Sequence, residues 1–369
     1  MLYITYVDLY EDGYFGVSKK IMSQLSVFKK FFGKVYLTCY CGQTVYLLED
    51  GRVVDKELAV TRARCHTVVG KWLDKYNIKR TYIRYAFSDK WFLQFLKLQK
   101  EKGIKAVLEI PTYPYDGEIA GERFKRIRLE DSYYREHLCQ YVDWVATNSE
   151  AEQILGMSCI KLLNGVDIEL HPMCLKSRTG NEISKKIVLI GVSIMAIWHG
   201  YERVLEGLFH YYKNKGSYDI YLKLVGEGAE KNRYQSLVQK YGLQSKVEFC
   251  GMLGGEDLNR QYASADIAVS SLGLYKTGIE DVTPIKGAEY CARGIPFICG
   301  YHDMRFPDKA DYIMTVPNNP EPINMHEVIA FYETITAQEN YQKKMRNYAL
   351  EHFTWESIMM PVVELLNGF

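Results

Sequence analysis

The chain has 369 residues, 47% hydrophobic and 25% charged, with 46 Lys and Arg against 45 Asp and Glu for a formal charge of +1. This length predicts two domains, each able to bury a core, and the charge balance excludes a whole-molecule field that would draw the protein to nucleic acid or an anionic membrane. Nine cysteines, scattered from Cys39 to Cys299 without a C-x-x-C pair, fit reduced thiols in a cytosol better than a disulfide framework or a zinc site.

Met1 to Val7 lacks a basic lead and is cut at Asp8, so it reads as a first strand and not a signal peptide. No window approaches 18 continuous apolar residues, and the expectation is a soluble, cytoplasmic protein. Strands are predicted over 2–7, 34–39, 81–85, 106–110, 144–147 and 161–163, with amphipathic helices over 18–31 and 91–102 among them. A polar segment over 171–185 reads as a linker. A second series of strands follows over 186–191, 220–225, 247–250, 267–270, 296–299 and 312–316. Alternating strand and helix implies βαβ units and parallel sheets. The division is an N-terminal domain over 1–170 and a C-terminal domain over 171–351, with a helix over 352–369 returning to the first. That last stretch is broken near Phe353-Thr354-Trp355 and carries Pro361.

The segment from Ser270 to Pro296 carries the most chemistry. A buried strand ends at Ser270 or Ser271, a long loop follows, and Thr283-Pro284 reads as N-cap and first position of a helix. Ligands of open parallel sheets lie beyond the C-terminal strand ends, and a helix start there offers free N–H groups and a positive dipole end to phosphate. Lys286 in the first turn suits a diphosphate, Ile285 and Thr283 line the approach, and Glu289 lies one turn on, where its carboxylate suits ribose hydroxyls. Glu280 and Asp281 precede the cap and can reach sugar hydroxyls. The plainer reading is a capped helix with a Lys-Glu pair on its solvent face.

Several segments together resemble one family. They are Asp12-Gly13-Tyr14-Phe15-Gly16, the stretch from Ile110 to Asp116, Thr147-Asn148-Ser149-Glu150, Asn164-Gly165-Val166-Asp167, Trp198-His199-Gly200, Val225-Gly226-Glu227-Gly228, Phe249-Cys250-Gly251 and the donor segment. Their order resembles the retaining GT-B glycosyltransferases of family 4, the group 1 glycosyl transferases. The resemblance implies an α/β GT-B fold of two Rossmann-like doubly wound parallel-sheet domains facing across a cleft. It also implies a nucleotide-sugar donor, more readily UDP-linked, held by the C-terminal domain, with no further cofactor and no metal. Glu289 is similar to the second acid of the family's E-x7-E signature, and the first falls on Asp281, giving D-x7-E. The family's Arg and Lys after the first C-terminal-domain strand fall near Val192 and His199. Lys286, with His199 or Lys276 beside it, must then supply the positive charge. Gly16 and Glu227 are donor-loop candidates.

Other residues remain open between two readings. Arg84, at the end of a buried-looking strand, binds a substrate anion or forms a structural ion pair. Tyr113 and Tyr115 are sugar platforms or parts of a rigid packed loop, and Asp116 positions the acceptor or assists as a base. The basic run from Arg123 to Arg128 suits a lipid-linked acceptor at the inner membrane face, or forms a solvated helix paired with Glu130, Asp131 and Glu136. Thirty tyrosines suit stacking on sugars and bases, or fill half-buried positions. Val225-Gly226-Glu227-Gly228 lacks the third glycine of a dinucleotide fingerprint, and neither a P-loop nor a D-x-D triplet occurs. The expected partners are a nucleotide-sugar donor and a glycan or lipid-linked acceptor, in surface polysaccharide or glycoconjugate synthesis. The alternative is a non-catalytic GT-B subunit of a transferase complex.

Overall fold

A computed structural model of the chain describes residues 1–9, 15–116, 122–175, 185–277 and 283–368. It divides into one unit of Met1–Asn164 with Trp355–Phe369 and a second of Gly165–Thr354.

The first unit contains β1 (Leu2–Ile4), α1 (Phe15–Phe32), β2 (Tyr36–Cys41), β3 (Thr44–Glu49), β4 (Arg52–Leu58), α2 (Arg62–Lys75), β5 (Arg80–Arg84), α3 (Lys90–Glu101), β6 (Lys105–Glu109), α4 (Lys125–Tyr134), β7 (Trp144–Thr147), β8 (Gln153–Ile154) and β9 (Met157–Lys161). Their sheet runs β4-β3-β2-β1-β5-β6-β7-β9-β8. Six strands from β2 to β9 are parallel, while β3, β4 and β8 pair antiparallel. This corrects the purely parallel expectation. The added meander turns at Gly42-Gln43 and Asp50-Gly51, all four at positive φ. Paired left-handed residues make the tight hairpin whose twist matches flanking strands, and Asp-Gly is its sequence signal. The strand expected over 161–163 is β9, which ends at Lys161, although the Leu162 amide still donates to Thr147 O at 2.7 Å.

The second unit contains β10 (Lys186–Val192), α5 (Glu202–Lys213), β11 (Asp219–Val225), α6 (Lys231–Lys240), β12 (Val247–Gly251), α7 (Gly255–Ser264), β13 (Ile267–Val269), α8 (Ile285–Arg293), β14 (Phe297–Cys299), β15 (Ile313–Thr315), α9 (Met325–Thr336) and α10 (Tyr341–His352). Its sheet is all parallel in the order β12-β11-β10-β13-β14-β15. Helices cover both faces, so β10 is apolar at consecutive positions. Ile187 and Leu189 enter one core while Val188 and Ile190 enter the other.

The chain then returns to the first unit through α11 (Trp355–Asn367), with Pro361 inside the helix. Met359, Val362, Val363 and Leu366 are buried beside Tyr3, Phe28 and Tyr82. Lys30 holds Glu356 at 2.6 Å, and Arg80 Nε donates to Leu366 O at 2.7 Å. No helix among the described residues is long and apolar enough to cross a membrane.

Each sheet has a point where the strand order reverses, between β1 and β5 in the first unit and between β10 and β13 in the second. Loops on either side of such a reversal run in opposite directions over the sheet edge and leave room for a ligand. Phe28 is fully buried, so Phe28→Ala is expected to cost about 3–5 kcal/mol. The check is a lower urea midpoint for the transition of the first unit, with that of the second unchanged.

Candidate functional site

The reversal in the second unit is built by backbone contact. Beyond β10, the Ser193 amide donates to Val225 O at 3.0 Å and the Met195 amide to Glu227 O at 2.6 Å, which ties this loop to the one after β11. On the other side the Leu272 amide donates to His199 O and the Gly273 amide to Trp198 O, both at 3.0 Å. Gly200 has φ +62°, and a Cβ there would lie 2.6 Å from Gly273 N. At Gly226, with φ +122°, a Cβ would lie 1.9 Å from Ser193 O. Only glycine permits both the left-handed backbone and the approach.

This seam places His199, 6% exposed, at the reversal. Its ring stacks on Tyr201 with centroids 5.8 Å apart, and Nδ1 lies 3.3 Å from Ser271 Oγ and 3.2 Å from Lys286 Nζ. Burial, with the Lys286 ammonium beside it, pushes His199 down to about 3. The ring is therefore neutral at physiological pH, and Nδ1 accepts from Lys286. Burial in turn pushes Lys286 down to about 7, with Glu289 pulling weakly upward.

Lys286 belongs to the first turn of α8, whose N-cap is Pro284, φ −67° and ψ 140°, with no side-chain cap. Thr283 therefore lies one residue outside the capping position expected for it. Proline's fixed φ suits this extended residue, and the first N–H groups of α8 lack intrahelical acceptors, as at any helix start. The start is held from behind: Arg305 Nη2 donates to Pro284 O at 2.5 Å and pairs with the buried Asp303 at 2.6 Å. Glu289, one turn along, lies 3.4 Å from His171 Nε2. Neither Asp303, Arg305 nor His171 was singled out in the sequence: Arg305 meets Pro284 across 21 positions, and His171 meets Glu289 from a distant segment. Ile285 is 40% exposed, and Ile194, Ile197 and Trp198 form an exposed apolar stretch in the loop after β10.

Several expected contributors are placed elsewhere. Glu227 is exposed and pairs with Lys231 at 2.6 Å. Lys276 is held by Glu202, so it is not a free helper to Lys286. Glu280 and Asp281 lie outside the described residues, as does Gly13, while Gly16 falls in the first turn of α1 instead of the preceding loop.

In the first unit, Arg84 Nη1 pairs with the fully buried Glu109 at 3.1 Å. Tyr115 is corrected as a platform: it is 6% exposed, and its hydroxyl donates to Asp131 Oδ2 at 2.8 Å. Tyr85 donates to the other oxygen of Asp131 at 2.5 Å. Asp116 is tied to Arg135 at 3.0 Å, so it is not an unencumbered base. Tyr113 is half-buried, edge-on to Tyr115. In the basic run, Arg126 pairs with Glu130 at 3.1 Å.

Two all-parallel or largely parallel α/β units, one with a helix start at its strand reversal, have the architecture of the GT-B fold. Residues 176–307 match the family model described as glycosyl transferases group 1, and this match supports a glycosyltransferase. Among solved structures, a glycosyltransferase from Rickettsia africae ESF-5 is similar over 100% of this chain and 98% of its own, at 14% identity and TM-score 0.64. Anabaena HepE in complex with UDP is similar over 100% and 99%, at 12% identity and TM-score 0.57. Sucrose-phosphate synthase from Thermosynechococcus elongatus is similar over 99% and 98%, at 15% identity and TM-score 0.53. At these identities the likeness establishes the fold. No curated protein sequence matches the chain.

Gly200→Ala is expected to push the loops after β10 and β13 apart. A loss of about 2–4 kcal/mol follows from strain plus overpacking, and is read as a lower melting temperature of the second unit.

Proposed function

We propose that this protein is a retaining glycosyltransferase of the family 4 type. It would move a hexosyl group from a UDP-sugar to a glycan or lipid-linked acceptor, in cytoplasmic assembly of surface polysaccharide or another glycoconjugate. The observation that carries this reading is the meeting of Lys286, His199 and the open start of α8 at the strand reversal of the group 1 domain. The solved HepE neighbour was studied with UDP and with UDP-glucose, which supports UDP as the nucleotide.

The diphosphate sits on the first N–H groups of α8, where the helix dipole and Lys286 oppose its charge. Negative charge grows on the leaving diphosphate as the sugar bond breaks, so a cation fixed there stabilises the transition state more than the ground state. Glu289 accepts from the ribose hydroxyls, and Asp281 or Glu280 from the sugar. The acceptor hydroxyl gives its proton to a donor phosphate oxygen on the face that the sugar leaves, so configuration is retained without a protein nucleophile. His199, neutral and bonded through Nδ1, keeps the Lys286 ammonium aimed.

Transfer is tested by UDP release from purified protein with UDP-sugars and candidate acceptors. Saturable UDP binding without hydrolysis or transfer would instead assign the chain as a sugar-binding subunit. Lys286→Ala is expected to raise the UDP-glucose Kd at least tenfold by calorimetry, and an unchanged Kd sinks the assignment of this cation. The donor needs Lys286 charged, while the free side chain titrates near 7. Affinity for UDP-glucose, whose diphosphate diester does not titrate in this range, should be flat at low pH. It should fall as pH rises above about 7, by up to tenfold per unit, and the slope should vanish in Lys286→Ala.

A further inference from the structure

The first unit has a second charged centre at its own strand reversal, between β1 and β5. On α1, Lys20, Gln24 and Phe28 recur every four residues and so share one face. Facing them are Tyr3 of β1, Tyr82 and Arg84 of β5, and Glu109 of β6, at alternate positions that share one side of the sheet. Towards the N-terminal strand ends the contact is aromatic, with the Phe28 ring 6.2 Å from Tyr3 and 5.1 Å from Tyr82. Towards the C-terminal ends, where ligands of parallel sheets bind, it becomes ionic.

Glu109 is fully buried, and a single oxygen of it takes nearly all the positive charge. Oε1 lies 2.9 Å from Lys20 Nζ and 3.1 Å from Arg84 Nη1, and accepts from Gln24 Nε2 at 3.3 Å. Tyr3 OH donates to Oε2 at 3.4 Å. Burial alone would raise this carboxyl, but Lys20 and Arg84 overcome it and hold Glu109 below its ordinary value. One carboxylate thus faces two cations, whose side chains are only 12% and 15% exposed. Among the described residues no other carboxylate pairs with either. A structural ion pair needs one cation, and a second, largely desolvated and uncompensated, is costly. Two cations on one buried carboxylate and the residual opening beside them together describe a site suited to an anion.

We propose that Lys20 and Arg84, seated on Glu109, bind an oxyanion of the acceptor, a carboxylate or a phosphate ester. The assignment to the acceptor rests on the transferase reading above, whereas anion binding at this place does not. Neutral sugars lacking such a group would then be poor acceptors.

The test titrates the full chain, with UDP saturating, against two matched pairs by saturation-transfer NMR: glucuronate with glucose, and glycerol 1-phosphate with glycerol. At least one anion is expected to bind tenfold or more tightly than its neutral partner. Whichever anion does so identifies a carboxylate or a phosphate ester as the group recognised. Lys20→Gln, which leaves the Arg84–Glu109 pair in place, should remove that preference, and Lys20→Arg should restore it. The UDP Kd, measured on the same variants, should stay unchanged, so a failed donor reading is seen separately from a failed anion site. Equal binding of anion and neutral partner by the unaltered protein overturns the proposal, whatever Lys20→Gln does to folding. So does a preference that survives in Lys20→Gln.

Discussion

The contact between Gly200 and Gly273 is the constraint on which the second unit's chemistry depends. The two loops leave β10 and β13, adjacent strands whose connections run to opposite sides of the sheet. Nothing in the sheet's own hydrogen bonding sets the distance between them. That distance is set by the close approach of main-chain atoms and by the two bonds that the Leu272 and Gly273 amides donate to His199 O and Trp198 O. Because backbone meets backbone, no side-chain rotamer can absorb an added methyl group. His199 is carried on the same seam, and its reach to Ser271 and Lys286 follows from the seam's closeness.

The site holds a cation the fold would be more stable without. Lys286 titrates near 7 against 10.5 for an exposed lysine, because burial penalises its charged form. In the ligand-free protein the unfolded chain therefore binds more protons between about pH 7 and 10.5, and stability rises with pH across that window. A diphosphate bound as proposed would reverse the sign of the local environment by giving the ammonium a partner. On that proposal, stability forgone in the free protein would be returned as donor affinity, the usual relation between a functional site and its scaffold. Arg305 and Asp303 supply the rigidity this requires, fixing the carbonyl of Pro284 so that the helix start cannot relax away from the charge.

Many tyrosines in this protein are core residues. Tyr3, Tyr82, Tyr201, Tyr234 and Tyr290 are fully buried. The Tyr85, Tyr115 and Asp131 cluster spends its hydroxyls on one buried carboxylate. A ring of this size fills the wide space between sheet and helix while its polar end needs a partner, so the residues most suggestive of sugar stacking in composition become packing in the fold.

The alternation of apolar runs with amphipathic segments by itself determined two α/β units, since a strand apolar at consecutive positions, such as 187–190 of β10, lies in a sheet covered on both faces. The same local chemistry marked the start of α8 and the lysine and acid on its first turns, because a helix start and its three-residue spacing are read within one short segment. The Asp50-Gly51 hairpin was equally legible but was masked by the expectation of continuous βαβ units. Tertiary structure alone decided the rest. His199 meets Lys286 across 87 positions, and Glu109 gathers Lys20 and Arg84 from separate elements. Such pairings depend on strand order, which is fixed by the collective packing of helices on a sheet and leaves no periodic trace in the chain.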